Sequence, residues 1–334
     1  MEQLSYSFII PVFNRPNEIE ELLESFSNLA GNFKYEIVIV EDGSSQTSEA
    51  VVNTYKSKLN ISYYFKANSG PGDSRNYGMQ KAKGNYFIIL DSDVILPSEY
   101  LVEVDIFLKA SFFHCFGGPD AAHQSFSRLQ KAINFAMTSF FTTGGIRGGD
   151  DSQKDFQPRS FNLGLSKEAF EASKGFGKIH PGEDPDLVLR LWDLDYKTTL
   201  IKKAFVYHKR RISWQKFYKQ VNKFGMVRPI LNKWHPNSKK ITYWFPSLFI
   251  IGFLFALIAA FLGIYYPLII YATYFLVIFI SALISTKSLN IALMSLIAVC
   301  IQFYGYGTGF LHSTLKLWST NKKAESIFPN LFFK

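Results

Sequence analysis

The chain has 334 residues, 48% of them hydrophobic and 17% aromatic, and a formal charge of +9. Its two cysteines, Cys115 and Cys300, exclude a disulfide framework and fit reducing surroundings, and the length exceeds what one small domain needs. Charge is unevenly spread: residues 1–195 hold 18 basic against 26 acidic side chains, whereas residues 196–334 hold 18 against Glu325 alone.

Residues 7–13 (SFIIPVF) read as a buried strand ended by Asn14-Arg15-Pro16. Residues 18–29 place Ile19, Leu22, Leu23 and Phe26 at helical spacing. A second buried strand, 36–40, closes on Glu41-Asp42-Gly43-Ser44-Ser45. A helix near 47–59 and a third strand, 61–65, follow. Residues 68–72 (NSGPG) form a turn-rich loop before a helix over 73–83, and 86–90 (YFIIL) is a fourth buried strand. Strands with continuous apolar runs, alternating with helices, predict an α/β domain with a mostly parallel sheet covered on both faces. Such sheets bind ligands beyond the carboxyl ends of their strands. Asn14, Asp42, Asn68 and the pair Asp91 and Asp93 all fall at those ends. Each alone is an ordinary turn residue; together they suggest a site. Hard carboxylate oxygens two residues apart suit Mg²⁺ or Mn²⁺ shared with substrate phosphates. No Gly-x-Gly-x-x-Gly follows the first strand, which argues against a dinucleotide-dependent dehydrogenase.

Further along, residues 144–151 (GGIRGGDD) read either as an acceptor loop that orders on donor binding or as a connector. Glu183-Asp184-Pro185-Asp186 opens a helix, with Asp184 placed to cap it and Pro185 as its first residue. An acid-free, basic stretch over 202–240 contains Trp214, Phe217, Val221 and Phe224 at helical spacing, an amphipathic helix suited to a membrane face. Residues 241–286 carry no charge and are too long for one crossing, so they fold back at Gly263–Pro267 into spans near 245–262 and 267–285. The basic segment beside that apolar run points to lipid rather than nucleic acid. A third uncharged stretch, 288–315, contains Gln302, His312, Gly305, Gly307 and Gly309, and either spans or lies partly in the interface. Lys316, Lys322 and Lys323 beyond it favour an interfacial or re-entrant course, since three crossings would put them outside. Residues 1–7 lack the features of a signal peptide, so the expected arrangement is a multi-pass protein of the cell membrane with a cytoplasmic N-terminal domain.

The blocks FIIPVFN (8–14), EDGS (41–44), GPGDSRNYGMQKA (70–82), GNYFIILDSDV (84–94) and GEDPDLVLRL (182–191) resemble, in order, the motifs of family-2 glycosyltransferases with the glycosyltransferase-A (GT-A) fold. The resemblance covers roughly residues 6–210. It implies that Phe13 packs by the nucleotide, Asp42 hydrogen-bonds the base, Arg75 lies near the nucleotide or its phosphates, Asp91 near the ribose, and Asp93 on the metal. His208, after the apolar run 204–207, is implied as a further metal or diphosphate ligand, and Asp184 as the general base of an inverting transfer. Residues 220–224 (QVNKF) resemble the Gln-x-x-Arg-Trp element of processive synthases only in part, with Lys-Phe for Arg-Trp, which speaks against processivity. The implied protein has a catalytic domain over 1–210, a basic interfacial segment over 211–242, membrane helices over 243–315 and a tail over 316–334. It would move a sugar from a nucleotide-sugar donor to a lipid-linked or glycan acceptor, using Mg²⁺ or Mn²⁺. Rival readings are transfer to a polyprenyl phosphate and a non-catalytic, nucleotide-binding membrane scaffold.

Overall fold

The computed structural model describes residues 3–121, 126–144, 156–207 and 213–333, with the backbone of His208. Most of the 144–151 loop lies outside the described residues. In chain order the elements begin with β1 (Tyr6–Val12), α1 (Pro16–Ser27), β2 (Tyr35–Asp42), α2 (Glu49–Tyr55), β3 (Ile61–Lys66), α3 (Pro71–Lys81) and β4 (Tyr86–Leu90). They continue with β5 (Val94–Ile95), α4 (Tyr100–Ala110), β6 (Cys115–Gly117), β7 (Asp120–Ala121), α5 (Arg128–Thr138), α6 (Phe140–Thr143), β8 (Asn162–Ser166) and α7 (Lys167–Ser173). After α8 (Glu183–Asp193), β9 (Thr198–Leu200) and β10 (Val206–His208), the rest is helical: α9 (Trp214–Trp234), α10 (Phe245–Phe261), α11 (Tyr266–Thr286), α12 (Leu289–Trp318) and α13 (Ala324–Ile327).

The chain divides into two compact units that interleave in sequence. One comprises residues 1–123, 152–208 and 332–334, the other residues 124–151 and 209–331. A single division near residue 210 would assign two of these stretches, 124–151 and 332–334, to the opposite unit.

In the first unit, strands run in the order β3-β2-β1-β4-β8-β6-β9, and the first four are mutually parallel. β8 runs antiparallel to both its neighbours, while β5, β10 and β7 form a smaller sheet. Alternate residues of the central strands feed two different cores. Phe8, Ile10, Ile37, Ile39, Ile88 and Leu90 pack with Leu22, Leu23, Phe26 and Leu101; Ile9, Val38, Val40, Phe87 and Ile89 pack with Met79, Phe170, Leu187 and Leu191. With both faces covered, both alternating sets of positions in the middle of these strands are apolar, hence the unbroken runs.

The second unit is built around α12, one unbroken helix of 30 residues. An unbroken helix has no re-entrant turn. With residues 241–261 and α11, it is one of three described helices long and apolar enough to cross a membrane. Only 17% and 11% of the first two windows are buried, against 39% for α12, so α12 is the inner element. The chain turns between α10 and α11 at Gly263, whose φ of +85° favours a residue without a side chain.

α9 does not present its apolar stripe outward. Phe217 and Val221 are buried in one cluster with Val299 and Phe303 of α12 and Ile133 and Ala136 of α5. Close approach depends on glycine: a Cβ at Gly225 would lie 2.2 Å from the Tyr306 carbonyl oxygen, and one at Gly309 2.3 Å from that of Asn222. Asn222 also donates from Nδ2 to the Gly305 carbonyl at 2.9 Å. Small residues bring backbones together where lipid supplies no hydrophobic drive. Gly225→Leu is therefore expected to destabilise the helical unit by about 1–3 kcal/mol, seen as a lower melting temperature of the detergent-solubilised protein; an unchanged melt would contradict this packing.

Candidate functional site

The polar groups at the strand ends are held by one another. Asn14, at a φ of +54°, accepts at Oδ1 from the Ser45 and Gln46 amides at 2.9 Å each, and its own amide donates to Ser44 Oγ at 2.7 Å. Glu41 is fully buried and accepts from Ser44 Oγ, from the Ser48 amide at 2.9 Å and from Tyr63 at 3.1 Å. Asp42 closes β2 and is also buried. Its carboxylate accepts from Lys66 Nζ at 2.9 Å, the Ser69 amide at 2.9 Å, the Gly70 amide at 3.0 Å and Asn68 Nδ2 at 3.3 Å. Those four donors occupy the acceptor sites of a carboxylate, so a ligand reaching Asp42 must displace one of them. Phe13, just past β1, stays 51% exposed.

The centre of the site is Arg75. It lies on α3, 3% exposed, and donates from Nη2 to Asp91 Oδ1 at 2.8 Å and from Nη1 to Glu183 Oε1 at 3.0 Å. Its guanidinium carbon lies 5.2 Å from the centroid of the Phe176 ring. The buried Nε has no hydrogen-bond partner. Glu183 is further held by His180, whose Nδ1 lies 3.1 Å from both carboxylate oxygens. Burial opposes the charged form of Glu183, but the His180 hydrogen bond and the charges of His180 and Arg75 outweigh it and hold the carboxyl below its ordinary range.

Asp184 is the second residue of α8, not its cap. Gly182 takes the cap position at a φ of 115°, so the helix starts two residues earlier than the Asp-Pro pair suggests. With Glu183 turned inward to Arg75, Asp184 remains half-buried. Burial, then the neighbouring charge of Glu183, raises its pKa above the ordinary aspartate value.

Asp93 is 2.6 Å from Arg15 Nη1. His208 pairs through its backbone with Val94, one residue on from Asp93, and its side chain lies outside the description. Among the described residues no three His, Cys, Asp or Glu gather as a ligand set. The oxygen donors of Asp91 and Asp93 thus suit a cation that takes its remaining ligands from substrate and water.

Arg75 thus brings Asp91 together with Glu183, the residue beside Asp184 and 108 positions along the chain from Arg75 itself. Arg15, Lys66, His180 and Glu183 were not singled out from the sequence. The only local signals were Arg15 within Asn-Arg-Pro and Glu183 beside the Asp read as a base.

Two family profiles match the chain: Glycosyl transferase family 2 over residues 7–111 and Glycosyl transferase family group 2 over residues 86–306. A Campylobacter jejuni GalNAc(5)-diNAcBac-PP-undecaprenol beta-1,3-glucosyltransferase is 28% identical over 206 residues, 60% of this chain and 62% of its own. A Staphylococcus aureus poly(ribitol-phosphate) beta-N-acetylglucosaminyltransferase is 32% identical over 108 residues, 31% of this chain and 19% of its own. An uncharacterized glycosyltransferase of Rickettsia felis is 32% identical over 136 residues, 41% of this chain and 22% of its own. The chain therefore spans less than two thirds of each of these relatives. Among solved structures, a Pyrobaculum calidifontis mannosyltransferase in complex with GDP-Man and Mn²⁺ superposes with a TM-score of 0.57 at 14% identity, covering 96% of this chain and 89% of that one. At that identity the likeness concerns the fold.

Removing the guanidinium would leave Asp91 and buried Glu183 facing each other without their shared cation. Arg75→Met is expected to cost about 3–5 kcal/mol of stability, measured by denaturant titration; a loss below about 1 kcal/mol would mean that the pairs are solvent-screened.

Proposed function

Because the chain belongs to the family-2 glycosyltransferases, we propose that it moves a sugar from a nucleotide-sugar donor to a membrane-associated acceptor with inversion at the anomeric carbon. The observation that carries this reading is the Asp91–Arg75–Glu183 bridge, which ties the Asp-Ser-Asp turn after β4 to the helix start that holds Asp184. A donor half and a base half thereby share one rigid support.

Exposed Phe13 offers a flat face to a nucleotide base, and Asp42 with the Gly70 turn offers polar groups at its edge. Asp184 takes the proton of an acceptor hydroxyl, whose oxygen attacks the anomeric carbon. The bond from that carbon to the diphosphate oxygen breaks, and its electron pair leaves with the nucleoside diphosphate. A raised pKa suits this task, since a stronger base accepts the proton more readily. Mg²⁺ or Mn²⁺, held through Asp93 with Asp91 close by, would neutralise charge on the departing diphosphate. Arg15 would then have to give up Asp93.

The acceptor is read as lipid-linked. The Campylobacter relative acts on an undecaprenol-linked glycan by its name, and three helices here are apolar enough to cross a membrane. The acid-free basic segment over 202–240 fits a multi-pass placement in the cell membrane with the catalytic residues cytoplasmic.

A panel of UDP-GlcNAc, UDP-glucose, UDP-galactose and GDP-mannose, assayed with Mn²⁺ for released nucleoside diphosphate with and without undecaprenyl-linked acceptors, tests the reading. Turnover of none would favour a non-catalytic scaffold; transfer to undecaprenyl phosphate itself would favour the polyprenyl-phosphate alternative. Asp184→Asn is expected to abolish transfer while nucleotide binding persists, and Asp93→Ala to abolish metal-dependent turnover. Transfer by Asp184→Asn at the wild-type rate would remove Asp184 as the base. Because the Asp184 pKa is raised, the active carboxylate forms only as pH climbs past a value above 3.8. The acid limb of kcat/KM is thus expected above that value, and a limb at or below it would show that Asp184 is not the titrating group.

A further inference from the structure

The residues after Leu331 belong to the catalytic unit, and they sit against both halves of its site. Phe332 forms an antiparallel bridge with Ile179. The Phe333 amide donates to the Lys178 carbonyl at 3.0 Å. Its ring lies 5.7 Å from that of His180, at an interplanar angle of 53°. On its other side the ring covers Gly70: a Cβ there would lie 2.3 Å from a Phe333 ring carbon. Gly70 has a φ of +95°, so both its backbone and its neighbour require glycine.

The two contacts lead to different groups. Gly70 donates its amide to Asp42 at 3.0 Å. His180 holds both oxygens of Glu183 at 3.1 Å, and Glu183 in turn holds Arg75. Between them lies a cavity of about 160 Å³ lined by Ser69, Gly72, Asp73, His180 and Phe333. Asn76 of α3 also ties this loop, donating from Nδ2 to the Phe176 carbonyl at 2.9 Å and accepting at Oδ1 from the Phe176 amide at 2.8 Å; Phe333 is the contact that reaches the Gly70 turn itself.

We propose that Phe333 is a positioning residue: its ring splints the Gly70 turn to the His180 loop, and so fixes the spacing between the nucleotide-side carboxylate Asp42 and the base-side pair Glu183 and Asp184. The inference rests on the transferase reading for its catalytic consequence, but not for the splint itself. An aromatic ring suits this role because it is rigid and presents two apolar faces.

The test uses the whole 334-residue chain in detergent. Lys178 is exposed, whereas Ile179 is buried, so trypsin needs local opening to cut between them. Phe333→Ala is expected to raise cleavage after Lys178 by about tenfold, quantified by mass spectrometry, while the global melting temperature stays near that of wild type. With the best donor of the panel above, the same variant is expected to lower kcat by about tenfold with a smaller change in donor KM. Phe333→Tyr, which keeps the ring, should restore both. Should Phe333→Ala not fold, Phe333→Leu, which keeps bulk without the flat ring, enters the same comparison. Equal cleavage after Lys178 in wild type and variant would overturn the splint, and wild-type kcat in a variant with the loop opened would overturn the role of Phe333 in positioning the site. If no donor is turned over, the transferase reading fails while the trypsin comparison still decides whether Phe333 holds the loop.

Discussion

A guanidinium placed out of contact with water tolerates few surroundings, and Arg75 sets the terms for everything around it. A buried cation needs opposite charge at hydrogen-bonding distance, and the planar fork of arginine dictates where that charge lies. One carboxylate must come from the end of β4 and another from the start of α8. These demands fix the relative placement of α3, the Asp91 turn and the Glu183 helix start. They also decide which acid of the Glu-Asp pair is spent on structure. Glu183 faces the cation and is stabilised as an anion, so the next residue, roughly 100° further around the helix, is left with burial and a negative neighbour. The opposite displacement of the two acids follows from one pairing.

Much of the sheet was legible because the physics is local. The run Tyr86–Leu90 could be bounded to the residue, since five consecutive apolar side chains between Asn85 and Asp91 suit only a strand covered on both faces. The fold-back at Gly263 was equally plain, as an uncharged stretch longer than a bilayer must turn somewhere. What failed depended on long-range partners. Asp184 looked like a helix cap because Asp before Pro is the usual signal. The helix instead starts at Glu183 behind Gly182, whose left-handed conformation no neighbouring residue type announces. Lys66 neutralises Asp42 from the adjacent strand, and strand register is invisible before the sheet is assembled.

The helical unit illustrates the same limit. Trp214, Phe217, Val221 and Phe224 have the spacing of a helix resting on lipid, and periodicity alone does not say what covers an apolar stripe. Phe217 and Val221 in fact meet α12 and α5. The glycines of α12 are sites of close approach: Gly309 lies against the Asn222 backbone, and Gly305 against the Val221 side chain. Composition cannot distinguish a glycine that bends a helix from one that admits a neighbour.

The interleaving of the two units has a practical reach. α5 lies between strands of the catalytic sheet in sequence, yet its apolar residues complete the core beneath α12. Phe332 and Phe333 follow the helical unit but are seated on the loop ahead of α8. Neither unit is a continuous segment of chain, so a soluble fragment cut after His208 would carry an orphaned amphipathic helix and a bare seam at Gly70. Genetic dissection of this protein calls for substitutions within the intact polypeptide, or for circular rearrangement, rather than truncation.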